Sequence, residues 1–468
     1  MVKKRLERMV ESEAGKGCND FWAASLCALP SSLAIIVLLP AALAAQAASP
    51  AGASAAVYGS GYQVPLEFAR ESVPANQVSL HVGVSSFYDD NVLGSNAKRL
   101  SDEALSFDGS LGIQHRSDRL TLSFDYTPFF LLYRQVTGYD RLNHGLNLSL
   151  TYRLSSRFVL AVQDGFYYQN GLYPTLAEQP ILSGPPPPFG SNGIINPYSV
   201  RTLFDMGGVY LTFVKSSRTS VTLTGGYNQS TYGAQRQFPN LPLYNAKGFS
   251  GGLTLQHHVS AHTSIGLLAL HQDTSFQGGQ ILGSHLRVQI ESAYLSFASV
   301  LSPTVKISLF GGPEYVRSVG ATLATAALSG HFQPSGGGSI TKEVRSTAFD
   351  LSAIRSVTDG GGLYSSVVDT RVFCGARRRL VGLWQARLHA DAAREDTSLF
   401  QFVNGRIDGL IGGVIISRPL LTHGSELHIS YETMHQLSNG VLPVTANFDR
   451  NQFAVGFDYQ LKSFGLGR

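Results

Sequence analysis

The chain has 468 residues, of which 15% are charged and 10% aromatic; 36 Lys and Arg against 32 Asp and Glu leave a formal net charge of +4. So low a charged fraction, with 49 glycines and 4 methionines, excludes a disordered chain, a coiled coil and a basic nucleic-acid binder. A polytopic helical membrane protein is excluded as well, because only one stretch is long and apolar enough to span as a helix.

That stretch, Phe21 to Ala44, follows Lys3, Lys4, Arg5 and Arg8 and leads into Ala45-Gln46-Ala47. The order of charge, apolar run and small-x-small residues predicts a signal peptide over 1–47, cut after Ala44 or Ala47. The alternative is an uncleaved anchor helix. Cys18 and Cys27 lie inside this segment, and Leu26 directly before Cys27 argues against lipoprotein processing. The mature chain would keep only Cys374, so no intrachain disulfide is available to it. Residues 48–76 read as a periplasmic linker.

From residue 77 the hydrophobic period is 2. Leu105, Phe107, Leu111 and Ile113 oppose Ser106, Asp108, Ser110 and Gln114. Leu120, Leu122, Phe124 and Tyr126 alternate with Thr121, Ser123, Asp125 and Thr127. Leu146, Leu148, Leu150 and Tyr152 alternate with Asn147, Ser149, Thr151 and Arg153. The pattern continues to Phe453, Val455, Phe457, Tyr459 and Leu461. Strands are predicted over 78–88, 103–115, 118–132, 141–154, 157–168, 200–214, 218–229, 246–259, 262–275, 285–301, 304–316, 320–332, 344–356, 362–374, 379–393, 405–418, 425–436 and 449–461. The expectation is therefore an all-β chain: a transmembrane antiparallel up-and-down barrel of about 18 strands over 77–461, with 16 as the alternative count and 462–468 as a tail.

Short connections carry serine beside basic or histidine residues, as in Ser117, Ser155-Ser156-Arg157, Ser216-Ser217-Arg218 and Ser260-Ala261-His262. They alternate with long Gly/Pro/Asn-rich loops. The longest, 170–199, holds Pro185 to Pro188 in a row and cannot be strand. Turn centres recur about every 40 residues, a spacing that a β-propeller also shows. A blade would fit four short strands into that length, whereas here two long ones fill it. Each is long enough for the 9–11 residues a tilted membrane strand needs. Short turns then face the periplasm and long loops the outside. Phe87, Tyr88, Phe129, Phe130, Tyr133, Tyr167, Tyr168, Tyr227 and Tyr315 gather at the loop ends and would form an interfacial girdle.

Three strings carry a resemblance: Tyr88-Asp89-Asp90-Asn91-Val92, Gly311-Gly312-Pro313-Glu314-Tyr315 and Ser356-Val357-Thr358-Asp359-Gly360-Gly361-Gly362. Over 77–461 the chain resembles the outer-membrane β-barrel porin-type proteins, which include barrels associated with exopolysaccharide export. The resemblance implies an outer-membrane location and brings no catalytic residue and no cofactor.

Parity assigns the lumen Asp108, Asp125, Asn147, Arg153, Arg287, Glu291, Lys306, Asp350, Arg387, Asp391, Glu432 and Asp458. Signs are mixed, so an aqueous pore here would be weakly ion-selective. Histidine–carboxylate pairs that a barrel enzyme could use are His389 with Asp391 and His428 with Glu432; the tandem His257-His258 is a third candidate. No serine stands in a nucleophile-elbow string, and these groups read as lumen lining. Asp89, Asp90 and Asn91 offer oxygen ligands but lack the rest of a calcium loop. No catalytic, cofactor or metal site is therefore expected. Asp164 and Asp205 break the apolar parity beside Gly165 and Gly207-Gly208, which predicts bulges that turn both carboxylates into the lumen or up under the 170–199 loop. The functional expectation is a passive channel or export conduit for hydrophilic solutes, saccharides among them. A structural or adhesive barrel acting through its long loops is the alternative. Expected partners are outer-membrane lipid and the barrel-assembly machinery, with no nucleic acid.

Overall fold

The computed structural model describes residues 76–94, 96, 98–170, 201–233, 244–277, 285–319, 330–360, 364–396, 405–420, 424–439 and 447–465. The expected signal peptide, linker and most of the longest loop fall outside them. Among the described residues, eighteen strands form one closed sheet. They are β1 (Gln77–Asp89), β2 (Asp102–Arg116), β3 (Leu120–Tyr133), β4 (Arg141–Arg153), β5 (Phe158–Asn170), β6 (Arg201–Val214), β7 (Thr219–Tyr232), β8 (Asn245–His258), β9 (Thr263–Gln277), β10 (His285–Ser302), β11 (Val305–Val319), β12 (His331–Val344), β13 (Thr347–Gly360), β14 (Tyr364–Arg379), β15 (Gln385–Asp396), β16 (Arg406–Pro419), β17 (Ser425–Asn439) and β18 (Phe448–Gly465). Each pairs antiparallel with its sequence neighbours, and β18 returns to β1 with His81 opposite Gln460 and Phe87 opposite Ala454. No helix among the described residues is long and apolar enough to cross a membrane. Closure leaves no unpaired edge, the condition under which strands can cross lipid.

The serines of the short turns have a structural task. Ser117 Oγ accepts from the Leu120 amide at 3.2 Å, and Ser155 Oγ from the Arg157 and Phe158 amides at 3.2 and 3.1 Å. Ser216 and Ser260 repeat the arrangement with Arg218, Thr219 and His262. A side-chain oxygen that closes its own turn favours a tight reversal. At the other mouth, the chain after β1 turns inward at Val92. Val92 is fully buried against Phe87, Phe129, Leu131 and Tyr133.

Side chains paired across an antiparallel ladder share a face, so a paired row can be followed around the wall. The row Leu80–Leu111–Tyr126–Leu146–Phe166–Asp205–Gln229–Lys247–Ser275–Arg287 climbs from the low end of β1 to the high end of β10. This is the face of the exposed Val209, Leu223, Leu253, Leu267 and Leu295, so it looks outward. An apolar outer wall on a closed barrel of this size is that of an outer-membrane protein. Leu148 belongs to the outer face and Asn147 to the inner one, where it accepts from Tyr167 Oη at 2.5 Å.

Three expectations are corrected. Of the strand expected over 320–332, residues 320–329 lie outside the described residues, and the twelfth described strand is β12, a segment with Pro334 and Gly336 to Gly338 that reads as loop. Backbone packing demands those glycines: a Cβ on Gly337 would stand 2.5 Å from the Ala353 carbonyl, and one on Gly338 2.8 Å from that of Ser308. The final strand runs past Leu461 to Gly465. The β5–β6 ladder shows no register shift at Asp164 or Asp205, so there is no bulge there. Asp164 lies in the outward row Leu148–Asp164–Gly207–Tyr227–Phe249, and Phe249 is 59% exposed. Neither carboxylate enters the lumen. Tyr227 Oη lies 2.8 Å from Asp205 Oδ1 and 3.2 Å from Asp164 Oδ1, so one hydroxyl serves both on the outer wall.

The aromatic girdle is divided as well. Tyr88, Tyr227 and Tyr315 face outward, and Tyr126, His144 and Tyr168 pack ring against ring on that face. Phe87, Phe129 and Tyr133 instead turn in and fill the upper lumen beside β1.

Candidate functional site in the lumen

Ten of the twelve expected lumen residues sit on the inner face: Asp108, Asp125, Asn147, Arg153, Lys306, Asp350, Arg387, Asp391, Glu432 and Asp458. Their outward neighbours, such as Leu351 and Leu388, are about half exposed. The other two, Arg287 and Glu291, are corrections. Both stand on the outer face of β10, while Leu286, Val288 and Ile290 point inward and pack with Phe276 and Val316. Arg287 pairs with Asp273, and His271 Nδ1 lies 2.6 Å from Glu291 Oε1. Arg287, Asp273 and His271, with Lys247 and Phe249, line a groove of about 620 Å³ on the barrel exterior. Polar parity marks the lumen only across the hydrocarbon layer. Near the loop end the outer wall reaches head groups and water, where charge is tolerated.

The inner wall has two characters. On β6 to β9 it carries neutral hydroxyl and amide groups: Thr212, Ser220, Thr222, Thr224, Ser264, Gln272 and Thr274. On β13 to β18 and β1 it is charged. Arg371 Nε donates to both oxygens of Asp391 at 2.9 and 2.8 Å. Thr341 Oγ1 donates to Asp350 Oδ1 at 2.9 Å. His389 Nε2 lies 3.6 Å from Glu432 Oε2. The fully buried Asp89 and Arg450 form a two-point pair, which Gln452 joins through a 2.9 Å hydrogen bond to Asp89. These pairs join strands that are neighbours or one apart, so they run along the wall rather than across the lumen.

Asp89 and Asp90 are thereby spent on structure. Asp89 accepts from Arg450, Gln452 and its own loop at the Asn91 amide, and Asp90 takes Arg99, the Asn451 amide and the Asn451 side chain. His389 and Asp391 do not form a pair, because Arg371 holds Asp391. His428 does not face Glu432 for a proton relay but joins a different cluster.

That cluster forms where the first and last strands meet. His81 on β1 is 2% exposed, His428 on β17 5% and Asp458 on β18 8%. Asp458 Oδ1 lies 3.0 Å from His81 Nε2, and its Oδ2 lies 2.7 Å from His428 Nδ1. His81 Nδ1 lies 3.6 Å from Asp108 Oδ2. Ser85 Oγ lies 3.3 Å from His428 Nε2. Two glycines leave the room. A Cβ on Gly83 would stand 2.4 Å from Asp108 Oδ1, and one on Gly456 2.1 Å from Ser85 Oγ. Ser85, His428 and Asp458 have the connectivity of a hydrolytic triad. Yet Asp458 is shared with a second imidazole, that of His81, so the three groups do not stand as an isolated serine–histidine–aspartate relay. The sequence reading named Asp108, His428 and Asp458 but passed over His81, Ser85, Arg371 and Arg450. The usable signal was inward parity together with the closure of β18 on β1.

No protein-family model and no curated protein sequence matches this chain. Solved structures similar to it are large outer-membrane barrels. The OccK2 (OpdF) protein of Pseudomonas aeruginosa is 12% identical with a TM-score of 0.44, over 83% of this chain and 100% of that one. The ferric citrate transporter FecA is 9% identical with a TM-score of 0.42, over 84% and 79%. The siderophore receptor PirA of Pseudomonas aeruginosa is 8% identical with a TM-score of 0.41, over 84% and 81%. Likeness of this degree transfers neither solute nor partner.

Proposed function

We propose that this outer-membrane barrel is a passive channel or export conduit for hydrophilic solutes, with saccharides as the class that suits its wall. The observation that carries the reading is the two-sided lumen. A neutral hydroxyl and amide surface on β6 to β9 faces a wall whose ion pairs are closed among nearby strands. Charges that satisfy one another along the wall leave no single-sign ring to select ions. Hydroxyl and amide groups exchange hydrogen bonds readily with sugar hydroxyls, and no chemical step is required of them. Val92, packed inside against Phe87, Phe129 and Tyr133, fills the β1 side of the mouth, which supports a conducting path nearer β6 to β9.

The test is conductance of the purified folded chain in planar bilayers, followed by liposome swelling in a series of saccharides. Stepwise ohmic conductance with weak ion selectivity, and swelling that falls with sugar size, are expected. A silent barrel in both assays would refute the reading and leave the structural or adhesive alternative.

A further inference from the structure

We propose that His81 Nδ1 and Asp108 bind a divalent transition-metal ion, with Zn²⁺ as the fitting example, inside the barrel wall where β1, β2 and β18 adjoin, with Asp458 orienting the imidazole from its other ring nitrogen. Potential ligand atoms of His81, Asp108 and Asp458 all lie within 4.8 Å of one another. The inference is independent of the transport reading, because a barrel that conducts nothing would still hold the ion.

The hydrogen-bond pattern fixes the tautomers. An ionised carboxylate only accepts, so the ring N–H groups facing Asp458 must be Nε2–H of His81 and Nδ1–H of His428. In the neutral imidazoles the remaining ring nitrogens carry lone pairs. That of His428 accepts from the Ser85 hydroxyl. That of His81 has no hydrogen-bond partner, although the residue is 2% exposed. It faces a carboxylate oxygen of Asp108 across 3.6 Å. Two buried lone pairs directed at each other repel unless a cation stands between them.

Distance identifies which cation suits the gap. At 3.6 Å the contact is too long for a hydrogen bond. It is the edge of a coordination polyhedron: with two bonds of about 2.1 Å, that separation subtends about 118° at the metal, near the tetrahedral angle. Charge agrees. Two carboxylates and two neutral imidazoles sum to the charge of two electrons, which one divalent ion neutralises. The ion-pair partners of Asp108 and Asp458 among the described residues are His81 and His428, with no lysine or arginine. Asp458 on the far ring nitrogen of His81 is the carboxylate that orients a metal-bound imidazole and raises its basicity. An imidazole with carboxylate oxygens suits Zn²⁺ and its first-row neighbours better than Ca²⁺ or Mg²⁺, which prefer all-oxygen sites. Gly83 completes the cradle, since any side chain there would displace the Asp108 carboxylate.

The test uses the full folded chain without a histidine tag, stripped with chelator and titrated with ZnCl₂ by calorimetry. One Zn²⁺ per chain is expected. His81→Ala and Asp108→Asn should abolish that saturable step, and Asp458→Asn should weaken it by roughly 10- to 100-fold. Asp350→Asn, on the inner wall away from the cluster, should leave it unchanged. Co²⁺ added to the wild-type chain should give intense visible bands of a four- or five-coordinate site, a readout that needs no variant to fold. Absence of saturable Zn²⁺ binding by the folded wild type would overturn the proposal. Retention of full affinity in His81→Ala and Asp108→Asn, or a Co²⁺ spectrum identical to the aquo ion, would do the same.

Discussion

Asp89 and Arg450 give the sharpest test of how the upper lumen is held. Both side chains are 0% exposed, and Arg450 Nε donates to both Asp89 oxygens at 3.1 and 3.0 Å. Replacing Arg450 by methionine keeps the volume and removes the charge. Asp89 would then be a buried carboxylate left with the Gln452 side chain, the Asn91 amide and the Tyr133 hydroxyl, the last at 3.4 Å. Breaking a buried ion pair from one side costs about 3–5 kcal/mol. At about 1.4 kcal/mol per factor of ten, this lowers the folded-to-unfolded ratio by roughly two to four orders of magnitude. The double variant Asp89→Leu with Arg450→Met leaves no orphaned charge and should recover most of the loss. The assay is urea unfolding in detergent micelles, followed by heat-modifiable gel migration, on the wild type, both singles and the double. A single Arg450→Met variant as stable as the wild type would refute the dry, charge-paired description of this corner. So would a double variant no better than its worse parent.

Leu148→Arg should destabilise the barrel by about 2–4 kcal/mol near mid-bilayer. Asn147→Arg should fold normally and change ion selectivity in the bilayer recording; equal tolerance of both would reverse the assigned faces. Tyr227→Phe removes the hydroxyl that reaches both Asp164 and Asp205 and should cost about 1–3 kcal/mol, read in the same urea titration. Adding Asp164→Asn and Asp205→Asn to Tyr227→Phe should relieve it. Gly312→Ala would place a Cβ 1.8 Å from the Ala293 carbonyl, so the variant should give a sharply lower yield of heat-modifiable folded chain. Gly225→Ala, where a Cβ meets nothing within 4 Å, is the matched control.

Strand number and most strand positions were legible because a period of 2 is a local property. Each of Leu146, Leu148 and Leu150 reports its face without knowledge of its neighbours. The twelfth strand was illegible for the same reason. Pro334 and Gly336 to Gly338 are poor strand formers locally, and only the close approach of the Ser308 and Ala353 carbonyls from β11 and β13 explains them. Pro334 lies opposite Pro313, in a stretch of β12 that pairs on one side only, where a missing amide leaves no ladder bond unmade. Arg287 and Glu291 were misassigned because parity says which side a residue takes but not how high it stands. Height follows from the climb of the paired rows around the barrel, a global quantity. Asp164 and Asp205 were expected to bend the backbone, but Tyr227 from the next strand satisfies them without a bulge. The His81 cluster needs the register of β1 against both β2 and β18, residues far apart in the chain. Sequence supplied the ligand types and the inward parity but not their meeting.

The joint between β12 and β13 has a mechanical consequence. Its ladder runs from Val344–Thr347 only up to Gly336–Arg355, although both strands continue beyond. Above that point Ser335 Oγ of β12 donates to the Arg355 carbonyl at 2.8 Å, and the Val357 amide of β13 reaches past β12 to donate to Glu314 Oε2 on β11 at 3.1 Å. A barrel under tension behaves like a cask, whose staves part where the hoops are fewest. Here the hoops are backbone hydrogen bonds, and they run out along one line near the outer rim. Pulled from its surface loops, the cylinder would split from that rim downward and stop at Gly336, with the lower ladder intact. Glu314, from the Gly311-Gly312-Pro313-Glu314-Tyr315 string that is conspicuous in the sequence without an evident task, is a stitch across the split.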